Sequence, residues 1–290
     1  MSTEVYKMIR VAGSDAGEFL QGQLTQDMER LVQTGSLPAA WCNAKGRVIS
    51  LLRVLINDAG YGLVLPATVA GPVRERLTVY RMRADVSLEL ADSDWTSLAL
   101  NTEADLAELD KLGLRPAQEI NACRIAHGLT AVNIGIEEQC VELLGYTADL
   151  DKAGIAAAGK ASAEFLRSAK IRAGIPEILG GQSERYTPHM LNLDLLGAIS
   201  FDKGCYMGQE VVARTQFLGS SKRRLMRYRT EGTVSSGDKL SDGEKDVGEI
   251  VNVAGNDLLA VTPVALHGKV LFINGARATP VRLPYAVPDS

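Results

Sequence analysis

Two apolar runs of strand length, Leu37 to Cys42 and Arg47 to Ile56, are separated only by Asn43-Ala44-Lys45-Gly46. So short a connection admits an antiparallel hairpin and forbids a parallel crossover, which needs a dozen or more residues. The pattern recurs: Asn57-Asp58-Ala59-Gly60 turns the chain into Tyr61 to Leu65, and a further extended stretch surrounds Ile9-Arg10-Val11. Between such segments, Ser14 to Glu18 opens a helix, with Asp15 placed to cap it, Glu18 three residues on, and Phe19, Leu20 and Leu24 for packing. Helices are expected at about Ala67 to Tyr80, Glu103 to Leu112, Asp149 to Ala158 and Ala161 to Ala173, and strands near Val86 to Leu90 and Trp95 to Leu100. Because hairpins dominate the strand signals, the fold class read from the residues is α+β rather than a doubly wound parallel sheet.

From about Lys222 the character changes to short apolar runs (Val247 to Val253, Leu258 to Val261, Val270 to Ile273, Thr279 to Leu283) separated by Gly, Asp and Asn clusters. That pattern predicts a small β-barrel or sandwich. The division expected is residues 1–213 as two interleaved α+β subdomains and residues 214–290 as the small barrel. It places the run Lys203 to Glu210 near a domain junction, where ligand sites often lie. With 46% hydrophobic and 23% charged residues over 290 positions, the chain is an ordinary globular one. A net charge of −4 does not announce a nucleic-acid or membrane-surface binder, so any basic site must be local. No run approaches the roughly 20 apolar residues that span a bilayer. Met1 to Lys7 has no basic n-region before an apolar core, so a cytoplasmic protein with no membrane partner is expected. Cys42, Cys123, Cys140 and Cys205 form no Cys-x-x-Cys pair, which fits free thiols in a reducing compartment. No metal-ligand spacing, phosphate loop, Gly-x-Gly-x-x-Gly or Gly-x-Ser-x-Gly is present.

Three groups can carry chemistry. Cys205 has Lys203 two residues before it, Gly204 and Gly208 around it, and helical composition from Gln209 to Phe217 after it. A cysteine ahead of a helix N-terminus with an ammonium nearby is expected to favour the thiolate; the alternative is a buried structural cysteine in a glycine-rich turn. No histidine adjoins it, and His189 reads as a hydrogen-bonded structural residue. Six basic residues (Arg214, Lys222, Arg223, Arg224, Arg227, Arg229) with no acidic one among them form a second group. They could hold an anionic ligand tail or a phosphate backbone, or form a solvated face balanced by Asp238, Asp242, Glu244, Asp246 and Glu249. The third is the turn from Trp41 to Arg47, where Lys45 and Arg47 beside an aromatic side chain could hold a flat anion. A plain hairpin turn with exposed charges is the alternative.

Lys203-Gly204-Cys205-Tyr206-Met207-Gly208-Gln209-Glu210 resembles the Lys-Gly-Cys-[Phe/Tyr]-x-Gly-Gln-Glu signature of the YgfZ family. The resemblance extends to Phe19–Asp27, Cys42–Arg47, Ile171–Pro176, Thr187–Leu193, Ile199–Phe201, Val212–Arg214 and Leu283–Tyr285. It implies a ring-like fold shared with the T protein of the glycine cleavage system, with a central folate channel and a C-terminal β-barrel. It also implies a role, like that of related mitochondrial factors, in iron–sulfur enzyme assembly or repair, including enzymes that modify tRNA. Carried onto this chain, it makes Cys205 and Lys203 the reactive pair. Tyr6, Gln21, Gln23, Trp41, Lys45, Arg47, Asn192, Tyr206, Gln209 and Arg214 become the folate contacts, and Gly204, Gly208 and Glu210 complete the motif. Two departures stand out. Where T proteins place an acidic pair after the hairpin glycine, this chain has Val48-Ile49-Ser50-Leu51-Leu52, so aminomethyl transfer lacks its acid/base partner. Tryptophans that flank folate in the family fall near Tyr6, which can stack, and Leu166, which cannot.

The reading is therefore a tetrahydrofolate-binding accessory protein with iron–sulfur assembly proteins or client enzymes as partners, acting on tRNA indirectly. The alternatives are a folate-dependent one-carbon transferase and a tRNA-binding module.

Overall fold

The computed structural model describes residues 6–57, 60–91, 95–155 and 163–288. Strands β1 (Tyr6–Ala12), β2 (Ser36–Cys42), β3 (Val48–Asn57), β4 (Gly60–Pro66) and β5 (Ser87–Leu90) form an antiparallel sheet in the order β2-β3-β4-β1-β5. The expected hairpin is its edge, with Leu37 opposite Val54 and Ala40 opposite Leu51. Helices α1 (Ala16–Gln23), α2 (Met28–Thr34) and α3 (Ala67–Tyr80) bury Leu20, Leu31, Ala70 and Leu77 against Ile9, Val54 and Leu63 of the sheet. Asp15 stands at the N-cap of α1, but its side chain does not cap that helix. Its Oδ2 accepts instead from the Asp85 N–H at 2.8 Å, tying the helix start to the loop before β5.

A second sheet holds β6 (Trp95–Leu100), β7 (Cys123–Ala126), β8 (Leu129–Asn133) and β9 (Val141–Tyr146) in the antiparallel order β6-β9-β8-β7. It carries α4 (Glu103–Lys111) and α5 (Thr147–Lys152), which bury Leu106, Leu109 and Leu150 against Leu100 and Leu143. Helix α6 spans Ala163–Arg172. The helix expected over Asp149 to Ala158 starts at Thr147 and ends at Lys152; residues 156–162, which include the end of that expected helix and the start of the next, lie outside the described residues. The two sheets join through one apolar cluster. Tyr6, Leu55 and Val64 of the first meet Trp95, Val132 and Leu144 of the second, with Leu166 and Ala169 of α6 between.

After α7 (Gln209–Leu218), six strands close a barrel in the order β10-β13-β12-β11-β14-β15. They are β10 (Arg223–Thr230), β11 (Lys239–Ser241), β12 (Asp246–Ala254), β13 (Asp257–Pro263), β14 (Leu271–Ile273) and β15 (Ala276–Val281). The boundary read after residue 213 falls inside α7. One side of the barrel wall, Leu225, Val251, Leu259 and Val261, shares a core with Ala40 and Val48 of the first hairpin and with Leu191, Leu193 and Val212. The alternating sheet-and-helix units and the closed C-terminal barrel give the α+β architecture that the hairpin grammar predicts.

Candidate functional site

The run from Lys203 to Glu210 docks on two other segments of the chain. The Met207 N–H donates to the Gly22 carbonyl of α1 at 3.2 Å. Gly208, with φ of 81°, lies so close to the 43–46 turn that a Cβ there would stand 2.3 Å from the Asn43 carbonyl oxygen. That turn is built by Asn43, whose Oδ1 accepts from the Lys45 and Arg47 N–H groups at 2.9 and 3.0 Å. Gly46 completes it with φ of 65°. The sequence thus needs glycine at 208 for steric reasons. At Gly204 it does not, since a Cβ there would meet nothing within 4 Å.

Cys205 is exposed at the crest of this run, whereas Cys42 and Cys140 are buried. Burial pushes the Cys42 thiol up to about 12 and the Cys140 thiol up to about 11, which leaves both inert as nucleophiles. A turn separates Cys205 from α7, closed by the Gln209 N–H donating to the Tyr206 carbonyl at 3.2 Å, and Gly208 is the N-cap. Lys203 points inward. Its Nζ donates to the carbonyl oxygens of Gln21 at 2.6 Å, Leu24 at 2.8 Å and Gln26 at 2.8 Å. An ammonium has three N–H donors, so all of them go to backbone oxygens. Burial pulls its pKa down to about 8, against the favourable field of Asp27. Tyr206 is buried with the Lys203 ammonium 5.2 Å from its ring centroid.

A second feature is a cleft where the two sheets meet α6 and the segment that follows it. Apolar side chains, among them Leu51, Leu52, Ile134, Leu144 and Leu196, form its walls, and Tyr6, Arg53, Asn121, Glu142, Lys170 and Glu177 are its polar groups. Lys170 centres them, donating to Tyr6 Oη at 2.7 Å, Glu142 Oε1 at 3.1 Å and Glu177 Oε1 at 3.4 Å. Glu142 also accepts from Ser97 Oγ at 3.0 Å, and Arg53 donates to Asn121 Oδ1 at 2.6 Å. Burial pulls the Lys170 and Arg53 pKa values down, opposed in both cases by Glu142. Burial also pushes Glu177 up to about 7. Two cations and two carboxylates inside apolar walls suit a flat ligand with a polar edge, and Glu177 is poised to exchange a proton near neutral pH.

Of the folate contacts implied by resemblance, Tyr6 alone lines this cleft. The Lys170 ammonium lies 4.0 Å from the Tyr6 ring centroid and so covers a face that stacking would need. Leu166 is core, packed in the same cluster as Tyr6. Trp41 is fully buried, edge-on to Tyr80 and hydrogen-bonded through Nε1 to Gln23 Oε1 at 3.3 Å. Gln21 bridges α1 to α2, accepting from the Met28 N–H at 2.8 Å and donating to Asp27 Oδ1 at 3.1 Å. Asn192 is buried in a left-handed turn and donates to the Leu225 carbonyl at 2.9 Å. Lys45 is exposed on the turn, and Arg47 donates to the Arg185 carbonyl at 2.9 Å. Gln209 opens α7, where Arg214 pairs with Glu210 at 2.8 Å on the exposed face. His189 is buried, its Nε2 3.1 Å from Gln216 Oε1.

Arg53, Glu142, Lys170 and Glu177 were not among the residues singled out in the sequence. The signal for Lys170 is spacing: it falls at the fourth residue after Leu166 and next to Ala169, on the buried face of α6, where an isolated charge needs a partner. The basic stretch is largely engaged within the protein. Arg224 pairs with Asp194, Arg227 and Arg229 with Asp257, and Arg214 with Glu210. Arg223 donates to the Val247 and Val261 carbonyls. Among the described residues, no three His, Cys, Asp or Glu side chains are grouped to hold a metal ion, and no helix is long and apolar enough to cross a membrane.

A scan against protein-family models finds no match. Among solved structures, the aminomethyltransferase T of the glycine cleavage system from Bartonella henselae superposes with a TM-score of 0.73 over 96% of this chain and 83% of that one, at 19% identity. The fold is that of the T protein. In sequence, the chain is 28% identical to the tRNA-modifying protein YgfZ of Shigella dysenteriae, over 87% of this chain and 85% of the relative. It is 30% identical to the tRNA-modifying protein YgfZ of Colwellia psychrerythraea, over 87% of this chain and 77% of the relative. With the Lys203–Glu210 signature on a T-protein fold and relatives of this identity and coverage, the chain belongs to the YgfZ family.

Proposed function

We propose that this protein is a tetrahydrofolate-binding accessory factor that supports iron–sulfur enzymes in the cytoplasm and, through them, tRNA modification. The observation that carries the proposal is Cys205, an exposed thiol at the crest of a run clamped to α1 and to the 43–46 turn. A structural cysteine in a glycine-rich turn would be buried. The folate part of the reading draws on the cleft around Lys170, whose apolar walls and mixed-charge floor suit a flat heterocycle with donor and acceptor edges. The tRNA part draws on the names of the relatives in Shigella and Colwellia. Because the arginines of the basic stretch are engaged within the protein, an indirect route to tRNA, by way of an iron–sulfur enzyme, is favoured over direct binding. The test is complementation of a strain lacking its YgfZ-family gene. Cys205→Ala should fail to restore iron–sulfur enzyme activity and tRNA thiomodification, and full restoration would end the thiol's assigned role.

A one-carbon transferase is the second reading, and Glu177 favours it. No carboxylate follows the hairpin glycine, yet the cleft holds one with its pKa near neutrality. Steady-state assays with tetrahydrofolate and aminomethyl or N-methyl donors decide the matter, since sustained turnover would displace the accessory role.

A further inference from the structure

Helix α1 ends against an unusual partner. The Thr25 N–H, which would continue the helix by bonding to the Gln21 carbonyl, donates instead to the Ala40 carbonyl at 2.9 Å. The Gln21 oxygen is left to the Lys203 ammonium, as are those of Leu24 and Gln26 just beyond the helix. The negative end of the helix dipole therefore meets a buried cation. Three carbonyl oxygens within 2.8 Å and the face of Tyr206 on another side make a cage of the kind that carbonyl-lined sites offer potassium and ammonium ions. The cation here arrives on a side chain from the loop that bears the thiol, only two residues before Cys205.

We propose that Lys203 is a tethered monovalent cation. It occupies a carbonyl cage at the end of α1 and thereby sets the position of Cys205, a positioning residue rather than a group that acts on the thiol. The cage is a latent site for a small free cation, of the potassium, ammonium or methylammonium class, once the lysine is removed. At neutral pH the side chain keeps its charge despite burial, because its pKa, though lowered by desolvation, stays at about 8. The inference rests on the family reading only in taking Cys205 as the working thiol; its physical test does not depend on folate or on iron–sulfur enzymes.

Two variants separate the possibilities: Lys203→Ala, which empties the cage, and Lys203→Met, which fills it with an uncharged stem. Thermal melting and the rate of Cys205 alkylation across neutral to alkaline pH are measured in methylammonium chloride and in tetramethylammonium chloride at equal ionic strength. The expected result is that Lys203→Ala melts several degrees low and alkylates at an altered rate. Methylammonium returns both readouts most of the way to wild type, tetramethylammonium is too large to do so, and Lys203→Met responds to neither. If Lys203→Ala does not fold in buffer alone, refolding yield in the two salts replaces the melt, and a higher yield in methylammonium supports the cage. The proposal is overturned if the two salts act alike on Lys203→Ala, or if Lys203→Met melts and alkylates as wild type. It is likewise overturned if charge removal shifts the pH midpoint of alkylation and methylammonium does not shift it back, the signature of direct electrostatic activation.

Discussion

The carbonyl oxygen of Asn43 stands 2.3 Å from the point that a Cβ on residue 208 would occupy. Both partners are backbone, so no rotamer change can relieve the clash, and the φ of 81° at Gly208 adds strain for any other residue. Gly208→Ala is expected to cost about 1–3 kcal/mol and to loosen the thiol loop. Gly204→Ala, with open space around its Cβ position, should leave stability unchanged. Denaturant melts of the two variants check the contrast.

Three of the thiols should separate sharply by reactivity. Cys205 is exposed, while Cys42 and Cys140 are buried with raised pKa values. Limited alkylation of the native protein followed by peptide mass spectrometry should modify Cys205 first and leave Cys42 and Cys140 untouched until unfolding. Early labelling of Cys42 would mean that the hairpin core opens in the native state.

Lys170 and Glu142 should behave as a unit. Their side chains are about one-tenth exposed or less and 3.1 Å apart, so removing the lysine alone strands a buried carboxylate. Lys170→Met is expected to cost about 3–5 kcal/mol. Adding Glu142→Gln should recover part of that loss, a coupling that a double-mutant cycle measures directly.

Much of this architecture is legible in the amino-acid sequence. The Asn43–Gly46 turn fixed an antiparallel hairpin because four residues cannot carry a crossover, and the runs after Lys222 marked the barrel strands. The cleft was harder to see. Arg53 and Glu142 each sit in an apolar strand run and Lys170 lies between Arg167 and Arg172; the three come from β3, β9 and α6, so their convergence is a tertiary fact that no local run of sequence announces. The role of Lys203 was hidden for the opposite reason. Its nearness to Cys205 in sequence suggested a partner for the thiol, whereas its donors are satisfied by oxygens more than 170 residues earlier. The turn at Trp41–Arg47 offered an aromatic beside two cations, but strand alternation turns Trp41 into the core.

Glu177 should leave a mark on the pH dependence of stability. Its pKa is raised from the ordinary carboxylate range to about 7 by burial, so the native state holds a proton there that the unfolded chain releases. Stability from this group is present in full below the unfolded pKa and is lost as pH rises through about 7. Lys170, Glu142, Arg53 and Tyr6 face the same cleft, and the comparison must isolate the one group. Melting temperature should fall between mildly acidic and neutral pH more in wild type than in Glu177→Gln. Equal slopes would place the titration elsewhere.

The central claim, that this fold holds tetrahydrofolate in the cleft around Lys170 while the thiol works outside it, is tested most directly by calorimetric titration with tetrahydrofolate. Cys205 does not line the cleft, so wild type and Cys205→Ala should bind with the same stoichiometry and closely similar affinity. The folded Lys170→Met/Glu142→Gln variant should bind at least about tenfold more weakly, a loss of roughly 1.4 kcal/mol. The absence of saturable binding to the wild type, or undiminished binding by the cleft variant, would contradict the account.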